Sequence, residues 1–229
     1  MKTIGMLGGM SWESTELYYR LANQHVRERL GGLHSAPVLL DSLDFDEIAG
    51  MQRRDDWAAA GRLLGERARG LQAGGADMIV LCTNTMHKVI GDIEAAVDVP
   101  VLHIADAAAA AIAARGIGRA GLLGTAFTME QDFYRRRLAA HGIEVVVPDA
   151  DDRALVHRVI FEELVHGIVD DDSRDAYRGV VDRLVERGAE GIILGCTEIE
   201  LLLCQDDIAV PVFPTAALHV AAAVEAALA

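Results

Sequence analysis

The amino-acid sequence predicts a parallel α/β fold made of two similar lobes, on three observations. Short apolar runs rich in Val, Ile and Leu alternate with longer amphipathic stretches along the whole chain, the pattern of parallel strands joined by crossover helices. Apolar residues make up 52% of the 229 residues and aromatics only 5%, which suits helices packed closely on a sheet more than a β-sandwich. Finally, three sequence features occur twice in the same order, as a duplicated fold would require.

The expected strands are Ile4–Leu7, Val38–Leu40, Met78–Leu81, Val99–Leu102, Ala120–Leu123, Val145–Val147, Ile192–Leu194 and Val210–Phe213. Amphipathic patterns predict helices over Ser14–Leu30, Trp57–Leu71, Glu130–Ala140, Leu155–Val165 and Ala176–Glu186. The repeats pair Ile4-Gly5-Met6-Leu7-Gly8 with Ala120-Gly121-Leu122-Leu123-Gly124, the run 76–81 with 189–194, and Val99-Pro100-Val101 with Val210-Pro211-Val212, at offsets of 111 to 116 residues. Each pair is a common strand pattern; the shared order and near-constant offset argue against chance. The expected lobes are residues 1–98 plus 209–229, and 99–208.

Charge and composition remove several classes of function. The formal net charge of −14 repels phosphate backbones and anionic membrane surfaces, so neither is an expected partner. No apolar run reaches the roughly 18 residues of a membrane span; the alanine-rich stretch 107–114 ends at Arg115. The N-terminal residues run straight into strand-like sequence, unlike a signal peptide, and a cytoplasmic location is expected. Three cysteines without a CxxC pair point to reduced thiols, not to a disulfide framework or a four-thiolate zinc site. His87 and His103 with Cys82 fit no usual metal-ligand spacing, and the glycines lack the GxGxxG spacing of a dinucleotide site. Neither a metal nor a dinucleotide is expected from these spacings.

Ligands of open parallel sheets sit beyond the carboxyl ends of the strands. There the two halves carry matching polar loops, Cys82-Thr83-Asn84-Thr85 and Cys196-Thr197-Glu198; two facing lobes would gather them around one cleft. Cys196 falls at the expected start of a helix, where backbone N–H groups favour a thiolate. A buried cysteine is often only a small hydrophobe, but its place at a strand end, with a matching loop in the other half, favours chemistry.

The motifs Gly8-Gly9-Met10, Asn84-Thr85-Met86-His87 and Gly195-Cys196-Thr197-Glu198-Ile199 resemble those of the aspartate/glutamate racemases, and the resemblance runs the full length of the chain. It implies two pseudo-symmetric α/β lobes, a homodimer, no cofactor, and an acidic amino acid as substrate. The family removes the Cα proton from one face and returns one to the other, typically with a cysteine from each lobe. Inversion needs two groups, because a carbanion reprotonated by the group that made it only reverts. Charge developing on the substrate carboxylate must also be held, for which Asn84, Thr85, Thr125 and Thr197 are candidates; each equally suits a turn or N-cap. Met10 and Ser11 can border the cleft through their backbone. The resemblance also makes Gln52, Arg53 and Arg54 a candidate loop for substrate carboxylates, although adjacent arginines on an acidic protein are often surface charges. Related proteins carry a lysine near the position of His166 for the distal carboxylate; this chain has none there.

One departure from the family pattern is informative. The first-lobe cysteine usually stands immediately before Asn-Thr, yet here Thr83 does, with Cys82 one residue earlier. The internal repeat agrees: matching Leu81 with Leu194 aligns Cys82 with Gly195 and Thr83 with Cys196. The catalytic candidates are therefore Cys196, Thr83 and Cys82. Two other readings stay open: another thiol enzyme of the superfamily, such as a hydantoin racemase, maleate isomerase or decarboxylase, and a non-catalytic carboxylate-binding protein. Cys204 lies on an apolar run and is expected in the core or in dimer packing. A pyridoxal-phosphate racemase needs a Schiff-base lysine, and the chain has only Lys2 and Lys88. Racemisation should persist after dialysis against chelator and in the presence of hydroxylamine; loss that pyridoxal phosphate restores would overturn the cofactor-free reading.

Overall fold

The computed structural model describes residues 1–229. The strands are β1 (Ile4–Gly8), β2 (Val38–Ser42), β3 (Met78–Leu81), β4 (Val101–Leu102), β5 (Arg119–Gly124), β6 (Glu144–Val146), β7 (Ile192–Gly195) and β8 (Val212–Pro214). The helices are α1 (Trp12–Leu30), α2 (Phe45–Arg53), α3 (Trp57–Ala73), α4 (Ile90–Glu94), α5 (Ile104–Ala114), α6 (Ala126–Glu130), α7 (Asp132–Ala140), α8 (Ala150–Glu162), α9 (Asp171–Glu186), α10 (Ile199–Leu202) and α11 (Thr215–Leu228).

These elements form two four-stranded sheets in which every pairing is parallel, ordered β2-β1-β3-β4 and β6-β5-β7-β8. The orders are the same, and the three sequence repeats fall on β1 and β5, β3 and β7, and at β4 and β8. Two compact units result, Met1–Ile104 with His219–Ala229, and Ala105–Leu218. Helices cover both faces of a parallel sheet, so central strands carry no polar face; β1, β3 and β7 are buried at every residue, while edge strand β2 alternates toward solvent. Each unit has its own core. Leu7, Ile48, Leu64, Ile79, Leu81 and Ile93 anchor the first, and Leu123, Val156, Tyr177, Leu184, Ile192 and Leu194 the second. No helix is long and apolar enough to cross a membrane.

Part of the acidic composition is spent on helix starts. Asp44, Asp56, Asp149 and Asp170 are N-caps whose carboxylates accept from backbone N–H groups one or two residues into α2, α3, α8 and α9, an arrangement worth about 1 kcal/mol each. Three expectations change. The segment 52–54 is not a loop: Gln52 and Arg53 form the last turn of α2. The expected helix Glu130–Ala140 breaks at Gln131, whose extended backbone separates α6 from α7. The expected Leu155–Val165 helix starts earlier and ends at Glu162, followed by a 3-10 turn.

The β1–α1 turn depends on Gly9, which has φ +82°. A Cβ there would overlap the backbone nitrogen and oxygen of Leu43, and the Gly9 N–H donates to Thr15 Oγ1 at 2.8 Å. Gly31 also has positive φ but faces open space. In urea unfolding, Gly31→Ala should cost about 1 kcal/mol and Gly9→Ala at least about 3 kcal/mol; equal losses would show that the backbone of Leu43 yields.

Candidate functional site

Both strand-end loops are set by the register of the central strands. Leu7 pairs with Leu81 in the first sheet, and Leu123 with Leu194 in the second. Since Leu7-Gly8 and Leu123-Gly124 are repeat equivalents, Leu81 corresponds to Leu194, Cys82 to Gly195 and Thr83 to Cys196. The strand register thus carries the equivalence of β1 and β5 across to the ends of β3 and β7.

In the first loop, Cys82 is fully buried. Its N–H continues the ladder to Leu7 O at 2.9 Å, its sulfur lies 3.8 Å from Val80 O, and burial pushes the thiol far above its ordinary range. Thr83, on the opposite side of the pleat, is partly exposed. Asn84 and Thr85 are buried where the loop turns into the 3-10 segment Thr85–Val89. Gln52 is buried and its Nε2 donates to Met86 Sδ at 3.1 Å, which ties the end of α2 to this loop. Arg53 is exposed, 3.4 Å from Asp46. The Met10 side chain belongs to the core around Leu7 and Leu81, leaving its backbone as the part open to a ligand role.

In the second loop, Gly195 is required because a Cβ would stand 2.8 Å from Leu123 O. Cys196 follows, 9% exposed, and its thiol donates to Glu198 Oε2 at 2.8 Å. Thr197 Oγ1 donates to the same oxygen, also at 2.8 Å. Thr125, at the end of β5, caps α6 by accepting from the Thr128 N–H at 3.4 Å.

The expectation of a thiolate stabilised by a helix start is corrected here. The following helix, α10, is a single turn beginning at Ile199. Burial, and then the charge of Glu198, raise the Cys196 thiol well above its ordinary pKa. The resting sulfur is protonated and its proton points at a carboxylate. Glu198, to which reading the motif gave no role, is the residue that holds this thiol. The i, i+2 spacing of Cys and Glu in Gly-Cys-Thr-Glu is the signal that marks it. The core alternative for Cys204 is corrected: it is exposed on this chain, ahead of the turn Gln205–Asp207, with its N–H and thiol donating to Asp207 Oδ2 at 2.9 and 3.2 Å.

A buried thiol bonded to a carboxylate thus closes the central strand of the second sheet, on a framework whose two sheets share one strand order. The Asp/Glu/Hydantoin racemase family model matches residues 7–223, and the chain belongs to that family. Over its full length it is 56% identical, with a TM-score of 0.95, to the crystal structure of a provisionally assigned Asp/Glu racemase from Yersinia pestis, which it covers completely. It is 36% identical, with a TM-score of 0.89 and full coverage of both chains, to an aspartate racemase homologue from Pyrococcus horikoshii. A Streptococcus sanguinis glutamate racemase is 30% identical over 127 residues, which is 55% of this chain but 46% of that enzyme.

Glu200, two residues beyond Glu198, lines a hollow of about 290 Å³ with Arg174, Arg178, Cys204 and Asp207. Its Oε1 is buried without a hydrogen-bond partner. Burial first, then the charge of Glu198, push its carboxyl up to about 7 from 4.5. Between these values the unfolded chain ionises this group and the folded chain does not, so stability falls as pH rises through that window. Above it the penalty is full, about 3 kcal/mol. Glu200→Gln should therefore gain stability over the wild type at pH 8 and little at pH 5, read from urea midpoints; a difference independent of pH would show that Glu200 ionises normally.

Proposed function

We propose that this chain is a cofactor-independent amino-acid racemase acting on aspartate, glutamate or a closely related amino acid, with Cys196 as its strong acid–base group and Thr83 at the position of the second. The observation that carries the reading is the 2.8 Å bond from Cys196 to Glu198 at the end of β7, together with the strand register that assigns Thr83 to the equivalent position. Transfer of the thiol proton to Glu198 leaves a thiolate able to take the substrate's Cα proton. The electron pair left on Cα spreads into the substrate carboxylate, where Thr197 and Thr125 in the second loop region, and Asn84 and Thr85 in the first, are candidate donors. Gln52 and Arg53 are the candidates for a second carboxylate, and Met10 offers backbone groups. Return of a proton to the other face falls to the Thr83 hydroxyl or to a water held by it. Threonine is a far weaker acid and base than cysteine, so that half-reaction is the slow one. The proposal includes a reduced cytoplasmic setting and a homodimer.

A second reading has one observation in its favour. With threonine in the first-lobe slot, a single-thiol reaction such as decarboxylation, which requires only one proton donor, fits the same residues. Release of carbon dioxide without Cα exchange of an amino acid would select it.

By resemblance, the second-lobe thiol serves the L-enantiomer. In heavy water, Cα deuteration of L-aspartate or L-glutamate should then outrun inversion. Cys196→Ala should lower both by at least about 100-fold, Thr83→Cys should speed inversion by about tenfold, and Cys82→Ala should stay within about threefold of wild type. If Cys82→Ala abolishes inversion while Thr83→Ala is silent, the two residues have been interchanged.

A further inference from the structure

We propose that His87 is a positioning residue for the first-lobe proton step, acting by holding the Thr83 carbonyl with one ring nitrogen and the start of α5 with the other. The inference rests on the assignment of Thr83 as the first-lobe group.

The hydrogen bonds define the state of the ring. The Ile104 N–H can only donate, and it meets His87 Nε2 at 3.1 Å. Nε2 must therefore be the bare acceptor. The ring proton sits on Nδ1, which donates to Thr83 O at 2.8 Å. The bond accepted by Nε2 needs the neutral ring, and the surroundings keep it neutral. Burial pushes the pKa well below the ordinary value, and the charges His103 and His219 would carry push it the same way. Their ring centroids lie 4.6 and 5.8 Å from that of His87.

His219 is held by the same logic. The Leu102 carbonyl can only accept, so Nε2 carries the proton at 2.9 Å, and Nδ1 accepts from the Tyr18 hydroxyl at 3.0 Å. The packed rings therefore connect the end of β3, the end of β4 and helix α11 through directional bonds. Thr83 is where that network reaches the loop. The carbonyl that His87 holds belongs to the peptide linking Thr83 to Asn84, so fixing its plane sets the direction of the Asn84 N–H and restrains the Thr83 backbone from which the hydroxyl projects. Proton return requires the hydroxyl in a narrow range of positions, and an error of about 1 Å is enough to slow such a step by roughly 100-fold.

Two substitutions separate the two bonds. An asparagine amide nitrogen occupies the Nδ1 position and can still donate to Thr83 O; a glutamine oxygen occupies the Nε2 position and can still accept from Ile104. With L-aspartate and L-glutamate in heavy water, His87→Gln should lower the ratio of inversion to Cα deuteration by about tenfold or more, with deuteration by Cys196 little changed. His87→Asn should recover that ratio to within about threefold. A ratio unchanged in His87→Gln, or equal losses of inversion and deuteration in both variants, overturns the inference. Thr83→Ala in the same assay tests the underlying assignment: if it is silent, that reading fails, whereas a lowered ratio there with a normal one in His87→Gln removes only the role of His87. Ring ¹⁵N NMR of the wild type supplies a readout free of turnover, expected to show the Nδ1–H tautomer of His87 between pH 6 and 8; the Nε2–H tautomer would refute the proposal.

Discussion

Parallel pairing of the two central strands in each sheet is the constraint from which the rest of the molecule follows. A parallel ladder cannot close through a tight turn, so each crossover must run back over the sheet as a helix. All polar loops that follow the central strands then emerge at one end of the sheet. The one-residue alternation of the pleat does the remaining sorting. At the end of β3 it turns Cys82 inward, fully buried, and leaves Thr83 partly exposed. A shift of one residue would exchange their environments, which is why the Leu7–Leu81 and Leu123–Leu194 pairings bear directly on chemistry.

Burial shapes the second loop differently. A thiol surrounded by apolar groups resists ionisation, and a buried carboxylate needs hydrogen-bond donors. Placing Cys196 and Thr197 on one oxygen of Glu198 meets the second need and gives the first a local route for its proton. The proton can pass between sulfur and oxygen without leaving the protein. A sulfur held this way keeps its proton at rest, with an acceptor already in place beside it.

Much of this was readable from residues alone, and what was missed shares a cause. Strands such as Met78–Leu81 stand out because a buried parallel strand is a short apolar run between breakers. The duplicated order showed through because both halves kept the same strand ends. Helices α5 and α11 do not stand out in the sequence: stretches dominated by Ala with other apolar residues carry too little contrast for a 3.6-residue period to appear. Short α2 is hard to see in the sequence because Gly50 interrupts it and its cap, Asp44, lies well ahead of the polar residues at its end. Cys204 misled because the preceding Leu201-Leu202-Leu203 suggested a continuing buried helix, whereas α10 stops at Leu202. The role of Glu198 depends on side-chain direction at a tight turn, which one-dimensional spacing suggests but does not specify.

Each sheet of this protein carries its own hydrophobic core, with no strand shared between the two. A duplicated chain built this way can diversify by halves. An exchange of threonine for cysteine at the mouth of one sheet leaves the packing of the other sheet, and the carboxylate beside its thiol, untouched. The fold is in this sense a pair of independently adjustable halves, in which a change at one strand end need not disturb the packing at the other.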